Sequence, residues 1–464
     1  MRAVKLEVKP FSFVSFLKLE CIKELNQHSV IRITGIIEQE NNRTYMNMAT
    51  QETWVTVYAV SENEEINNFF VGILTGLWIK KEGQAYVLTI EVKTGSFLLD
   101  IKAHTRSFQD SGYQYSQVIN ACLEAEGGSC YISDDNNKAT ERFLLQYQES
   151  DWQFIKRLAS YAGTVLIPID NAAEKKICFG YKASSMVNQL EADSYRVEQN
   201  YEEYEKKKAA GFSDLKLTDL VSYVVGSREI YGLGEAVQFE GVQFVIGKIN
   251  SWLEGQELYH EYHLLTKEKA RLLPIYNNNI TGISLDARVT AVEKTVVKVQ
   301  IEEDENKEKC GSRWFDYATV YSTPDGAGWY CMPEVGDMVR LAIPDCMEGD
   351  AYVASSIHLG TAGGRSNPDE KSWKNPQNKE ILFTPDAIIL RNNNGISLEL
   401  SDQDGVKVNS NKDIIVQADG NIQIKSQNAG VNMAAETAIL MQQGAAKVEI
   451  NNDINISGGK IYMN

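Results

Sequence analysis

The sequence predicts a mainly β chain, and three observations carry that prediction. Through most of the 464 residues, apolar side chains stand on alternate positions in short runs divided by Asn-, Gly- and Glu-rich turns, the period of half-buried strands. The helical period appears in a single window, residues 101–165. From about Asn378 the apolar residues come in pairs and triplets on alternate positions, with no helix or second sheet nearby to cover them.

Composition bounds what such a chain does. Its 43% hydrophobic and 23% charged residues are ordinary for a folded protein and exclude wholesale disorder. No apolar run reaches the length of a spanning helix, and the N-terminus passes directly into strand alternation, so neither a signal peptide nor a membrane anchor is expected. A formal net charge of -17 disfavours nucleic acid, whose phosphates require a basic footprint. The seven cysteines, at 21, 122, 130, 178, 310, 331 and 346, show neither CxxC nor a framework spacing, as expected of reduced thiols in a cytoplasm.

In order, residues 1–100 read as a first β-barrel. Its strands are Val30–Gly35, Thr53–Tyr58, Phe69–Leu77 and Tyr86–Val92, separated by turns at Asn41-Asn42, Glu62-Asn63-Glu64 and Glu82-Gly83. Residues 101–165 read as an α/β insertion. Tyr115, Val118, Ile119, Cys122 and Leu123 recur at helical spacing. Trp152, Ile155, Leu158, Ala159 and Ala162 form a second stripe, with Ser150 as N-cap, a bond expected back from Gln153, and Gly163 as stop. Residues 166–282 return to strands and read as a second barrel, with the charged segment around Tyr204–Ala210 exposed. Five short strands in 283–360, the third over Phe315–Tyr321, suit an oligonucleotide/oligosaccharide-binding (OB) barrel, a fold that does not carry a function with it. Residues 361–378 read as a patternless linker.

The last stretch, 379–464, explains the rest. Ile396, Leu398, Leu400, Val406, Val408, Ile414, Val416, Ile422, Ile424, Val448, Ile450, Ile454 and Ile456 mark short strands with turns between them. Each strand offers one narrow apolar row, too short to enclose an interior alone, so the rows must be buried against copies of themselves. An intertwined, trimeric β-helix follows, with those residues as its trimerisation core.

Three stretches resemble one family. His104-Thr105-Arg106-Ser107-Phe108-Gln109 resembles an "H-T-R-x-F-Q" element. Leu145-Gln146-Tyr147-Gln148-Glu149-Ser150-Asp151-Trp152-Gln153-Phe154-Ile155-Lys156-Arg157-Leu158 is similar to "V-Q-Y-x-E-S-D-x-x-F-x-x-R-L". Pro333-Glu334-Val335-Gly336-Asp337-Met338-Val339 through Gly349-Asp350 looks like the barrel pattern "P-x-V-G-x-x-V … G-D-x-x-x-P", without the proline expected near Tyr352. With the ladder behind them, these resemble the VgrG and contractile phage-tail hub-and-spike family. The resemblance implies a homotrimeric, non-enzymatic central spike. Two hub barrels would sit on the inner tube protein and baseplate proteins, three OB barrels would form a neck, and the needle would pierce the target envelope on sheath contraction. It also implies assembly in a bacterial cytoplasm as part of a phage tail-like particle: a type VI secretion system, phage, tailocin or extracellular injection particle. No stable membrane insertion is implied.

Glu149 and Asp151 stand two apart at a helix start and do not face each other, so capping rather than acid-base chemistry accounts for them. Arg157 is expected to pair with a neighbouring strand or subunit. His260 and His263 fall on a strand, on opposite faces, without a third ligand, and His358, the last histidine, precedes the needle; no metal or cofactor is expected. Trp314, Trp329 and Tyr330 suit sugar stacking less well than packing at the neck. Ile461, Tyr462, Met463 and Asn464 would meet a PAAR-type tip protein, and effector cargo would ride on that tip or in the tube, since nothing follows Asn464. The competing functions are a cell-wall polysaccharide enzyme or depolymerase of the phage-tail type, and a glycan-binding adhesin.

Overall fold

The computed structural model describes residues 5–48, 52–61, 64–182, 187–255, 257–358, 367–460 and 462. They fall into two compact units, residues 1–360 and 361–464, and the chain is mainly β in both.

In the first unit the alternation of the sequence becomes burial: Val30–Ile37 covers Ile31, Ile33 and Ile37, and Ala85–Lys93 covers Leu88, Ile90 and Val92. These strands belong to one twelve-stranded sheet. Its main path runs Lys5–Lys9, Trp54–Val60, Ile66–Glu82, Ala85–Lys93, Val30–Ile37, Ser15–Glu24, Val242–Glu254, Glu257–Leu265, Ser222–Ser227 and Ser194–Glu198. The strands read from sequence as two barrels therefore share a sheet. Ser15–Glu24 has two usable edges, pairing with Val30–Ile37 on one and, through Glu20–Glu24, with Lys248–Trp252 on the other.

The turn expected at Asn41-Asn42 is instead followed by a helix, α1, Asn42–Met48. Its sequence is a weak helix former. Tyr45 supplies the anchor: it is buried, meets the Phe11 ring edge-on at 5.0 Å, and its hydroxyl accepts from the Ser12 amide at 2.8 Å.

The insertion contains α2, Tyr115–Glu124, and α3, Asp151–Ala162. Ser150 caps α3, accepting from the Gln153 amide at 3.1 Å, and Gly163 ends it at φ 67°, a conformation costly for any residue with a Cβ. The bond expected back from Gln153 is replaced by another, for the Ser150 hydroxyl donates to Asp100. The charged segment at 204–210 lies largely in a further helix, α4, Tyr201–Ala209, mostly exposed, with Glu203, Tyr204 and Lys208 half-buried and Lys207 buried, the Lys207 ammonium donating to the Lys269 and Arg271 carbonyls.

Residues 283–356 form a five-stranded sheet in the order Phe315–Asp316, Val296–Ile301, Ile283–Glu293, Met338–Ile343, Tyr352–Ser356. A parallel bridge from Tyr317 to Val353 brings its outer strands together. The third strand, expected over Phe315–Tyr321, stops at Asp316. Beyond it, Pro324 and Gly326 at φ 89° turn the chain back on itself, leaving 317–336 as a flap.

The second unit is a five-stranded antiparallel meander, Lys371–Lys374, Glu380–Phe383, Ala387–Arg391, Ser397–Ser401 and Gly405–Asn409, and a three-stranded one, Ile439–Gln443, Ala446–Ile450 and Ile454–Ser457. The expected linker thus holds a strand, made possible by a turn in which the Asn375 amide bonds the Lys379 carbonyl at 3.1 Å and Asn378 takes φ 57°. The strands expected at Ile414–Val416 and Ile422–Ile424 are not formed, and these residues lie outside every ladder of the single chain. Among the described residues, Leu382 is the one buried apolar side chain of this unit.

Candidate functional site

The apolar residues of the second unit line up across its strands. Pairing sets Phe383 beside Ile388, Ile388 beside Leu400 and Leu400 beside Val406; one step along, Ile381, Leu390, Leu398 and Val408 form a parallel row. Alternate positions of a strand share a face, so the two rows make one apolar lattice. It is uncovered: Phe383, Leu390 and Val408 are 45%, 41% and 56% exposed. Met441, Val448 and Ile456, with Ile439, Ile450 and Ile454, repeat the arrangement in the three-stranded sheet. Between them Ile414, Val416, Ile422 and Ile424 are exposed without ladder partners. Sequence reasoning reached Leu398, Leu400, Val406 and Val408 but missed Ile381, Phe383, Ile388 and Leu390, which alternate in the same way on the two strands Glu380–Phe383 and Ala387–Arg391. Of the four tip residues, Tyr462 is exposed, and Ile461, Met463 and Asn464 lie outside the described residues.

The polar residues of the first two motifs serve a different purpose. Arg157 is fully buried; it donates to Glu149 (2.8 Å), to the Leu145 carbonyl (2.9 Å) and to Glu348 of the OB barrel. Burial pushes the Glu149 carboxyl up from its ordinary value, against the pull of Arg157. Arg106 donates to Asp151 (2.5 Å) and Gln146 (3.0 Å), and His104 bonds Glu305 at 2.6 Å. Ser107 binds the Asp304 carboxylate through its amide and hydroxyl, and the Gln109 amide donates to the Cys310 carbonyl at 2.6 Å. Phe143 and Leu145 lie in the barrel core. These motifs therefore clasp insertion to barrel. Glu149 and Asp151 are buried and occupied by Arg157 and Arg106.

One grouping mimics a catalytic site. The Ser96 hydroxyl lies 2.9 Å from His28 Nδ1, and His28 Nε2 lies 3.3 Å from Asp100, the spacing of a charge-relay triad. Ser96, however, is wholly buried and bonded to Thr94, and the His28 ring packs on Trp152 at 4.1 Å, so no substrate reaches the hydroxyl. His260 is buried on the strand Glu257–Leu265, with its Nδ1 2.7 Å from the Ser251 hydroxyl; burial pushes its pKa down to about 3, and His263 faces the other side. Among the described residues no group of three or more His, Cys, Asp or Glu could hold a metal ion. Trp314 and Trp329 are partly exposed and Tyr330 strongly so.

No protein-family model and no curated protein matches the sequence. Solved structures do. An Escherichia coli protein, c3393, described as a component of the type VI secretion system with structural similarity to the T4 bacteriophage tail proteins gp27 and gp5, aligns with 76% of this chain and 100% of its own at a TM-score of 0.53 and 14% identity. A chain of the Francisella PdpA-VgrG complex aligns with 87% of each at 0.54 and 8%. At such identities the likeness is one of fold: the chain has the fold of the VgrG-type hub-and-spike proteins of contractile injection machines.

Proposed function

We propose that the protein is the structural central spike of a contractile injection system, a homotrimer whose first unit joins the inner tube and baseplate and whose second unit is the needle driven through a target envelope. The observation that carries this reading is the uncovered apolar lattice. A sheet with an open apolar face does not remain in water, and a second and third copy supply the cover without any further partner. The paired antiparallel ends and the unpaired residues 410–438 then divide the needle, and the middle segment finds its ladder partners in the neighbouring chains. The hub-type fold of the first unit supports the placement on a tube, and a PAAR-type protein would close the strand edges left at the C-terminal end. The protein acts mechanically, not as an enzyme. Cargo would travel with the tip or tube, the particle being assembled in the bacterial cytoplasm.

Light scattering on the whole chain and on a chain ending at residue 366 tests the proposal. A trimer that becomes a monomer on truncation is expected; a full-length monomer would overturn it. A PAAR-type protein from the same operon should bind the trimer, and no binding would remove the tip from the proposal.

A further inference from the structure

The turn between the strands Ala387–Arg391 and Ser397–Ser401 holds three consecutive asparagines, Asn392, Asn393 and Asn394, followed by Gly395. Asn394-Gly395 is the only Asn-Gly pair of the chain. An asparagine cyclises when the backbone nitrogen after it attacks its side-chain carbonyl carbon, and a following glycine, having no Cβ, leaves that nitrogen open to the approach. Two groups must be free for this: the carboxamide and the N–H of the next residue.

The structure separates the three asparagines on that criterion. Asn392 Oδ1 accepts from the Asn394 amide at 2.9 Å and from the Ile396 amide at 3.0 Å. Asn393 Oδ1 accepts from Lys379 Nζ at 3.0 Å, and the nitrogen that would attack Asn393 is the same Asn394 amide, already held by Asn392. At Asn394 both groups are free: among the described residues its carboxamide makes no hydrogen bond and the Gly395 N–H has no acceptor. Asn394 and Gly395 are both exposed, so water reaches them.

We propose that Asn394 is a site of spontaneous modification, at which the protein loses the register of one hairpin with age. The Gly395 nitrogen bonds to Asn394 Cγ, its proton passing through water to the departing nitrogen; the Cγ–Nδ2 bond breaks, ammonia leaves and a cyclic imide closes. Water then opens the ring at one of its two carbonyls. One opening gives aspartate, the other isoaspartate, in which the backbone runs through the former side chain; nothing is oxidised or reduced. Isoaspartate lengthens the loop by a methylene carbon, and loop length sets the register of a hairpin. Leu390 pairs with Leu398 and Arg391 with Ser397 directly beside this turn, so the change acts on the edge of the apolar lattice.

The full chain would be incubated in mildly alkaline buffer and the mass gain of amide-to-acid conversion located by peptide mass spectrometry. Isoaspartate is identified by methyl transfer from S-adenosylmethionine with a protein isoaspartate methyltransferase. Conversion at Asn394 at least tenfold faster than at Asn392 or Asn393, with methyl transfer lost in Asn394→Gln, supports the proposal. Conversion spread evenly over the three asparagines, or none at Asn394, overturns it. Hydrogen exchange over 387–401 reads the register. Aged protein should exchange faster there than fresh protein, while fresh Asn394→Asp, which carries the charge without the longer backbone, should match the fresh wild type. Equal exchange in aged and fresh protein, or the same rise in fresh Asn394→Asp, overturns the loss of register.

Discussion

In residues 5–358 apolar strands meet other strands of the same chain, and Ile31, Ile33, Val55, Leu88 and Ile90 are fully covered; in 367–460 the same residue types, Ile388, Leu400 and Val406, are 38%, 40% and 68% exposed. The local ladders are alike in both units, and only the cover differs. Complete burial of such a side chain contributes about 1.5–3 kcal/mol. The first unit gains this internally and is expected to fold as a monomer, whereas the second, on the proposed trimer, would gain it through association. Strand patterning alone does not distinguish a domain from part of one; the number of faces that find a partner does.

The largest effect is expected in the middle of the proposed needle. Ile422→Asp together with Ile424→Asp places charges where an assembled trimer has none to spare, at a cost on the order of 3 kcal/mol per side chain. Light scattering should give a single-chain mass while the first unit unfolds at its usual denaturant midpoint. A trimer that survives would show that these residues are not buried in the needle. The next largest effect lies wholly inside the first unit. Arg157→Met leaves Glu149 and Glu348 buried without their cation and should lower its unfolding free energy by about 3–5 kcal/mol, measured in urea, with most of the loss recovered on adding Glu149→Gln and Glu348→Gln. Association should be unaffected in both.

Acid should also separate the units. The folded pKa of His260 is lowered to about 3 from an ordinary 6.5, so its contribution to stability is fully present above pH 6.5 and is lost as pH falls toward 3. By pH 5 the loss is on the order of 2 kcal/mol. Equilibrium unfolding between pH 7 and 5 should show it, and His260→Gln should flatten that part of the profile. The smallest effect is expected from Ser150→Ala, which removes the cap of α3 and costs about 1 kcal/mol in the same urea experiment.

What was legible in the sequence was what is local. Ser150 and Gly163 bound α3 with signals lying within one turn of the helix, and the strands of the first hundred residues announce themselves by period. The helix at Asn42–Met48 was hidden because its warrant is Tyr45 meeting Phe11, a tertiary contact. The clasp was hidden for the same reason at longer range, since Arg157 finds Glu348 and Ser107 finds Asp304 about two hundred residues away. The ladder residues were readable as apolar rows, but the turn at Asn375–Lys379 that begins the lattice resembled a linker by composition.

The pairing of Ser15–Glu24 with Val242–Glu254 has a consequence in time. A ribosome that has completed the strand ending at Lys93 still has to reach Glu254, which at 5–20 residues per second takes on the order of 10–30 s. Throughout that interval the inner edge of the half-built sheet, with Leu17 and Ile22 beside it, has no native partner in its own chain. Slow translation, or a crowded array of ribosomes on one message, would lengthen the exposure of one nascent edge to another. For this protein the yield of soluble chains should therefore depend on the pace of synthesis as well as on the stability of the finished fold.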